Sequence, residues 1–438
     1  MARRQIAGRF TLHGHNVVGF EVAAYDRSQA LTIDPVLAYS SLLGGSAADS
    51  VIGVKFDRGG MIYVAGYMTT GDFGVGSSSF QDAATGSPNI FIAKINPAAA
   101  GADSLVYFTY IGGTGADMPY GMQIDAAGNI YLTGFTTSTD FPMAGNSARA
   151  NNSGGVTDVF ILKFNPALNG QDALVFSTYY GGTDLDIGYA IDVDQLGFIY
   201  VTGTTQSSDL PLTTTAYQNI RYGLSDAFIV KVDPFAGAFV YSSYLGGEST
   251  EQGRAIAVTP SGSAVYLAGD TVSTLFPLAG NSYQPTPFGG GDIFVAQMDL
   301  SQSGVDSLVY STYLGGSGLE AVRKMILDAS GKPLLTGYTN SVDFPVTPDA
   351  MQSKYGGGFD VFVSKLNLGG GSVVYSTYAG QSSINVGYGI AVSASGAIAV
   401  GGQSGEQNDG PSVGVTDSAV QNFFAGGQSD GFVLLLKN

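Results

Sequence analysis

The chain has no cysteine and no tryptophan, and its two histidines are His13 and His15. Disulfides, a thiol nucleophile and a cysteine-held metal are therefore excluded. A serine–histidine–acid set cannot form beyond the N-terminal stretch, and no G-x-S-x-G elbow, P-loop or zinc-ligand spacing is found. His13 and His15 flank Gly14, which marks a turn, so they make a weak metal pair. Charge is scarce as well. Charged residues make up 12% of the chain, against roughly 25% in ordinary soluble domains. What charge there is leans acidic, with 35 Asp and Glu against 18 Lys and Arg and a net charge of −17. That balance argues against a protein that grips nucleic acid through its phosphates, which needs a basic footprint. No apolar run reaches the ~18 residues of a membrane-spanning helix. The opening MARRQIAGRFTLHGHN also lacks the unbroken apolar core of a signal peptide.

What is present is a repeat. The nonapeptide LVYSTYLGG at Leu308–Gly316 recurs as LAYSSLLGG from Leu37, LVYFTYIGG from Leu105, LVFSTYYGG from Leu174, FVYSSYLGG from Phe239 and VVYSTYAGQ from Val373. The start-to-start intervals are 68, 69, 65, 69 and 65 residues. So regular a period means one supersecondary unit used repeatedly. The nonapeptide is rich in β-branched and aromatic residues and ends in a Gly-Gly breaker, so it reads as a strand. Each unit also carries a short apolar strand after the Gly-Gly turn. A second strand follows, ending in glycine, as in NIYLTG at Asn129–Gly134. A long loop then contains Asp-Phe-Pro at Asp140–Pro142 and Asp343–Pro345, and a third strand reads DVFILKF or DVFVSKL.

Four antiparallel strands per unit describe a propeller blade. The sequence predicts an all-β fold with six four-stranded blades over residues 37–438. Leu37–Leu43 is expected to pair with Asp430–Leu436 and close the ring as the outer strand of the last blade. Residues 1–36 stand outside the repeat. They read as a β-rich arm with strands near Arg9–His13, Val17–Ala24 and Leu31–Ile33. The arm has a net charge of +1, from Arg3, Arg4, Arg9 and Arg27 against Glu21, Asp26 and Asp34, while the remainder is acidic.

The phrases YSTYLGG, DAAGNIYLTG, TDFP and DVFVSKLN resemble the SBBP family of bacterial β-propeller repeats. The resemblance runs from Leu37 to Asn438 and recurs in every unit. Residues 17–36 resemble the tail of a β-rich module that often precedes such repeats. The family name supposes seven blades, whereas this chain offers six units. The resemblance implies a propeller that is secreted or attached to a bacterial surface, and it implies no defined activity.

Aligning the units exposes columns that could carry chemistry. Four residues past the second glycine of each turn stand Asp49, Asp117, Asp186, Glu251, Glu320 and Asn385. Brought together around a channel mouth, the five acids could hold a hard cation such as Ca2+ through oxygen ligands. Alternatively, each caps its own turn by accepting backbone N–H groups. Three residues further on lie Ile52, Tyr120, Tyr189, Arg254, Arg323 and Tyr388, a mixed column that breaks the six-fold pattern and could form a lopsided ligand site. A column of Phe91, Phe160, Phe228, Phe294, Phe362 and Phe432 reads as core between blades. Lys94, Lys163, Lys231 and Lys365 follow three residues later and are expected to be solvated or paired across strands. In the nonapeptides, the aromatic positions represented by Tyr107 and Tyr110 are oddly spaced and so face opposite ways. One set is expected to pack between blades and the other to be partly exposed, leaving an aromatic-lined flank suited to carbohydrate or another subunit.

No catalytic set or cofactor motif emerges. The leading expectation is a non-enzymatic extracellular or cell-surface propeller that self-associates through residues 1–36, giving a homo-oligomer or filament. The alternative is a module that binds glycan or peptide at a propeller mouth through Tyr120 and Tyr189. A polysaccharide-active enzyme ranks third.

Overall fold

The computed structural model describes residues 8–13, 17–22, 39–74, 79–393, 395–405 and 429–436. It separates into two compact units, Met1–Ser41 and Leu42–Asn438. In the first unit, Gly8–His13 pairs antiparallel with Val17–Val22, from Gly8 opposite Val22 to His13 opposite Val17. The third strand expected near Leu31–Ile33 lies outside the described residues.

The second unit is a six-bladed β-propeller of antiparallel sheets. The first blade is Asp49–Phe56, Ile62–Met68, Asn89–Ile95 and Leu105–Ile111, and the strands pair in that order. Blades two to five repeat the pattern, beginning at Asp117, Asp186, Glu251 and Glu320. The first strand of each blade is innermost, and successive innermost strands adjoin one another. The Phe column fills the interior as expected, with Phe91, Phe160, Phe228, Phe294 and Phe362 fully buried. Five hydrophobic clusters each join two successive blades, so both faces of an interior sheet are packed.

Packing on both faces corrects the expected aromatic flank. Tyr107 and Tyr110, although oddly spaced, are both buried, as are Tyr241 with Tyr244 and Tyr310 with Tyr313. The exposed nonapeptide residue is instead the second: Val106, Val175, Val240, Val309 and Val374 are 37–51% exposed. The second tyrosine latches the long loop of its own blade. In the fourth blade, Tyr313 Oη accepts from Phe276 N at 2.9 Å and donates to Ser273 O at 3.0 Å. Tyr179 does the same with Phe141 N at 2.9 Å and Ser138 O at 2.8 Å. The latched phenylalanine then stacks on the Phe column, with Phe276 4.6 Å from Phe294 between ring centroids.

The expected closing strand, Leu37–Leu43, falls partly outside the described residues. Among the described residues the sixth sheet has three strands, Asn385–Val392, Ile398–Gly405 and Ser429–Leu436. Leu37 and Ala38 lie outside the described residues, and Tyr39–Leu43 form no strand. The first nonapeptide carries Leu42 where the others carry the latching tyrosine, so it lacks the hydroxyl that ties the strand to a loop. Leu42 is 98% exposed. Val54 and Phe56 in the first blade and Val433 in the sixth are exposed too, whereas Met122, Ile191 and Ile256, which match Val54 in the interior blades, are buried.

Candidate ligand site at the propeller channel

The capping acids lie within their own blades. Asp117, Asp186, Glu251, Glu320 and Asn385 are all buried. Asp117 Oδ2 accepts from Gly113 N at 2.8 Å, Asp186 Oδ2 from Gly182 N at 2.7 Å, and Glu251 Oε2 from Gly247 N at 2.8 Å. Glu320 holds Gly316 N at 2.9 Å, and Asp49 holds Gly45 N at 2.7 Å. Hydroxyls of the second strand and loop complete each cap: Ser207 for Asp186, Thr271 for Glu251, and Thr339 with Ser341 for Glu320. Asn385 accepts from Ser404 Oγ at 3.0 Å and donates to Phe359 O at 3.1 Å. These oxygens serve local turns and do not converge as a cation ring. Among the described residues no three acidic or histidine side chains group as metal ligands. Burial raises the pKa of each of Asp117, Glu251 and Glu320, and that of Asp186 to about 6.

The Lys column is paired. Lys94, Lys163 and Lys231 lie over the Tyr63, Tyr131 and Tyr200 rings at 5.0, 5.5 and 5.2 Å, and Lys365 Nζ meets Asp328 Oδ2 at 2.5 Å. The Lys365–Asp328 pair lies in the wall of a cavity of about 1140 Å³ between the fifth and sixth blades. Because its lysine is already neutralised, that cavity is a poor candidate for ligand chemistry.

The mixed column behaves differently. Every innermost strand has a register shift at this position. In the third blade Gly188 pairs with Gly203 and Ala190 with Thr202, so Tyr189 has no partner in the ladder. The same slip sets out Ile52, Tyr120, Arg254, Arg323 and Tyr388. Such bulges re-aim side chains. Here they turn four of them into one continuous arc. Tyr120 and Tyr189 lie 5.4 Å apart between ring centroids, and the Arg254 guanidinium sits 4.3 Å over the Tyr189 ring. Arg254 Nε meets Asp270 Oδ2 at 3.1 Å, Arg323 Nη1 meets the same oxygen at 3.7 Å, and Arg323 lies 4.9 Å over Tyr338. Asp270 Oδ1 accepts from Val322 N at 2.9 Å, which fixes the carboxylate between the two arginines. Tyr388, in the sixth blade, is half exposed, and its hydroxyl lies 3.5 Å from Gln403 Oε1. The sequence placed Tyr120 and Tyr189 in this column but gave Asp270 and Tyr338, on second strands, no role.

A second polar group occupies the same strands further along. Asp192 of the third blade lies within electrostatic reach of Lys55 of the first and Lys324 of the fifth. Gln123 Nε2 donates to Asp192 Oδ1 at 2.8 Å, and Val258 N donates to Oδ2 at 2.9 Å. Burial, and then the charge of Lys55, lower Lys324 to about 8.

With this geometry established, the comparisons bear on the repeat. The β-propeller repeat known as SBBP matches residues 106–142 and 175–211. Two stretches of the chain match the SBBP repeat. Both matched stretches run from the nonapeptide through the innermost strand to the loop of the next blade, so each contains one bulge residue, Tyr120 or Tyr189. No curated relative matches the chain. Among solved structures, a protein of unknown function from Dyadobacter fermentans is 13% identical at a TM-score of 0.44, over 89% of this chain and 95% of that one. Kuenenia stuttgartiensis hydrazine synthase is 12% identical at 0.40, over 82% and 77%. A gluconolactonase from Xanthomonas campestris is 9% identical at 0.33, over 78% and 87%.

Proposed function

We propose that this SBBP-repeat protein is a non-enzymatic binding module that takes a sugar chain at the mouth of its channel. The observation that carries the reading is the aromatic pair Tyr120–Tyr189 with Arg254 stacked on it. Aromatic faces accept the apolar face of a sugar ring, while the guanidinium fork supplies directional donors to its oxygens. Low charge with much Gly, Ser, Thr and Tyr suits a setting outside the cell. A glycan array probed with purified protein is expected to give saturable binding. Tyr120→Ala and Tyr189→Ala should each weaken it about tenfold or more, each removing a stacking face of about 1–2 kcal/mol. An array without saturable signal, or signal indifferent to both changes, overturns the reading.

A second reading is self-association through residues 1–36. The observation favouring it is the separate N-terminal unit, whose described strands form a two-stranded sheet. An isolated hairpin is marginal in water and gains by adding to another sheet. Deleting residues 1–36 is expected to reduce the particle mass measured by light scattering to that of one chain. An unchanged mass would sink this reading and leave the channel site untouched.

A further inference from the structure

The six innermost strands carry four basic side chains, Lys55, Arg254, Arg323 and Lys324, in a chain whose net charge is −17. Their acidic neighbours along the channel are Asp192 and Asp270. The five capping acids begin the same strands but are bonded to their own turns, four of them buried and Asp49 partly so. Neither channel acid neutralises its surroundings. Asp270 is shared by two arginines, so one positive charge is left over. Asp192 accepts from Gln123, Val193 and Val258, and among the described residues neither Lys55 nor Lys324 comes within 4 Å of any carboxylate.

Lys324 is also out of keeping with its column. The matching residues in the other blades are Gly53, Gly121, Ala190, Ala255 and Gly389. One long cationic side chain thus replaces a hydrogen or a methyl group where the strands converge, within the electrostatic reach of a second cation, Lys55. Both amines are held at a loss of hydration, with each other as unfavourable company. A bound anion would relieve both penalties, and a channel walled by protein concentrates the attraction. Arg254, bonded to Asp270 and Gln252, and Arg323, bonded to Val322 O and the Tyr338 hydroxyl, offer their remaining N–H groups to a carboxylate or sulfate.

We infer that the ligand of this channel is an anionic sugar, one bearing carboxylate or sulfate groups, with its rings against Tyr120 and Tyr189 and its charges met by Arg254, Arg323, Lys324 and Lys55. The inference rests on the sugar-binding reading above and goes further by fixing the charge of the sugar. It places the positive field of an acidic protein inside its channel, so the ligand is drawn to the axis and repelled elsewhere.

The test is isothermal titration of the full chain with three probes: an oligogalacturonate, its methyl ester, and a sulfated galactan oligosaccharide of similar length. At least one charged probe should bind about tenfold or more tighter than the neutral ester, as expected for losing a charge-assisted hydrogen bond. Whichever charged probe binds identifies carboxylate or sulfate as the recognised group. Raising salt from about 0.05 to about 0.5 M should weaken the charged probe and leave the ester unchanged. Lys324→Met, which keeps the side-chain length and leaves Asp270 alone, should cost about tenfold in affinity for the charged probe with a melting temperature no lower than the parent's. Arg323→Gln provides a second variant with the same expected loss. Equal affinity for the acid and its ester, or Lys324→Met and Arg323→Gln both binding like the parent, overturns the anionic assignment while leaving sugar binding standing. If none of the three probes binds, the anionic assignment fails. If the glycan array is blank as well, the sugar reading fails with it.

Discussion

Gly269→Ala is expected to destabilise the protein by about 3 kcal/mol or more, at the upper end of overpacking costs. A β-carbon there would lie 2.0 Å from the carbonyl oxygen of Gln252 and 2.5 Å from a ring carbon of Phe294. Neither neighbour can retreat. Gln252 is held in the ladder opposite Asp270, and Phe294 is fully buried between blades. The same glycine recurs at Gly66, Gly134, Gly203, Gly337 and Gly402, each within 2.0 Å of an innermost-strand carbonyl by the same construction. It permits the close approach that accompanies the bulge, and the bulge sets out Arg254. The variant should therefore melt several degrees lower, since 1 kcal/mol moves the midpoint by about 2–4 °C in chains of 150–250 residues and by less in longer ones. Gly290→Ala is the control. Its nearest neighbour would be 3.9 Å away, so the change should stay within about 0.5 kcal/mol. Equal melting curves for the two variants would disprove the account of the bulge.

The second large effect concerns pH. Burial pushes Asp186 and Asp360 up to about 6, and it raises Asp117, Asp158, Asp226, Glu251, Asp292 and Glu320 as well. Oδ1 of Asp158 and of Asp360 is buried without a hydrogen-bond partner, which leaves their charged forms poorly solvated. A carboxyl whose folded pKa lies above its unfolded value favours the protonated fold. Its contribution is complete below about pH 4 and is lost as pH climbs through about 6. For Asp186 a shift of about two units is worth roughly 2–3 kcal/mol. Asp72 and Glu248, held down to about 2 chiefly by hydrogen bonds from Ser46 and Thr70 and from Thr274 respectively, work the other way, and their support fades only as pH falls below about 4. The melting temperature is therefore expected to rise by several degrees from pH 8 to pH 5 and to fall again towards pH 3. Asp186→Asn should flatten the upper part of that curve and raise stability at pH 8. The sixth blade already carries the neutral counterpart, Asn385, which donates its amide to Phe359 O. A melting temperature that is flat or falling from pH 8 to pH 5 would refute the buried-acid account.

Much of the fold could be read from the sequence because the repeat states the same local physics many times. The nonapeptide located the blades, and the Phe91 column announced the core. The turn-capping role of Asp117, Asp186 and Glu251 was open beside the cation ring, and their hydrogen bonds favour the caps. The remainder depended on relations between strands that a period-two reading does not contain. Alternation alone cannot show that Tyr189 falls out of register, because the cause is the fit of Gly203 against the Ile187 carbonyl on the neighbouring strand. Alternation also suggested that one tyrosine set would be exposed, since it presumes a sheet with one wet face. A blade packed on both sides buries Tyr241 and Tyr244 alike. The closing strand was inferred by counting nonapeptides. The first copy differs from the rest in carrying Ala38 and Leu42 where they carry valine and tyrosine.

The bulge divides the labour within each repeat. The ladder, the glycine contact and the Phe core build the blade, while the residue set out of register takes little part in any of them. Six such positions read Ile, Tyr, Tyr, Arg, Arg, Tyr around the axis. They behave as a short word written on a frame indifferent to its spelling. A protein built this way can exchange one recognition surface for another by changing a handful of codons, while the ladders and cores of the blades stay as they are.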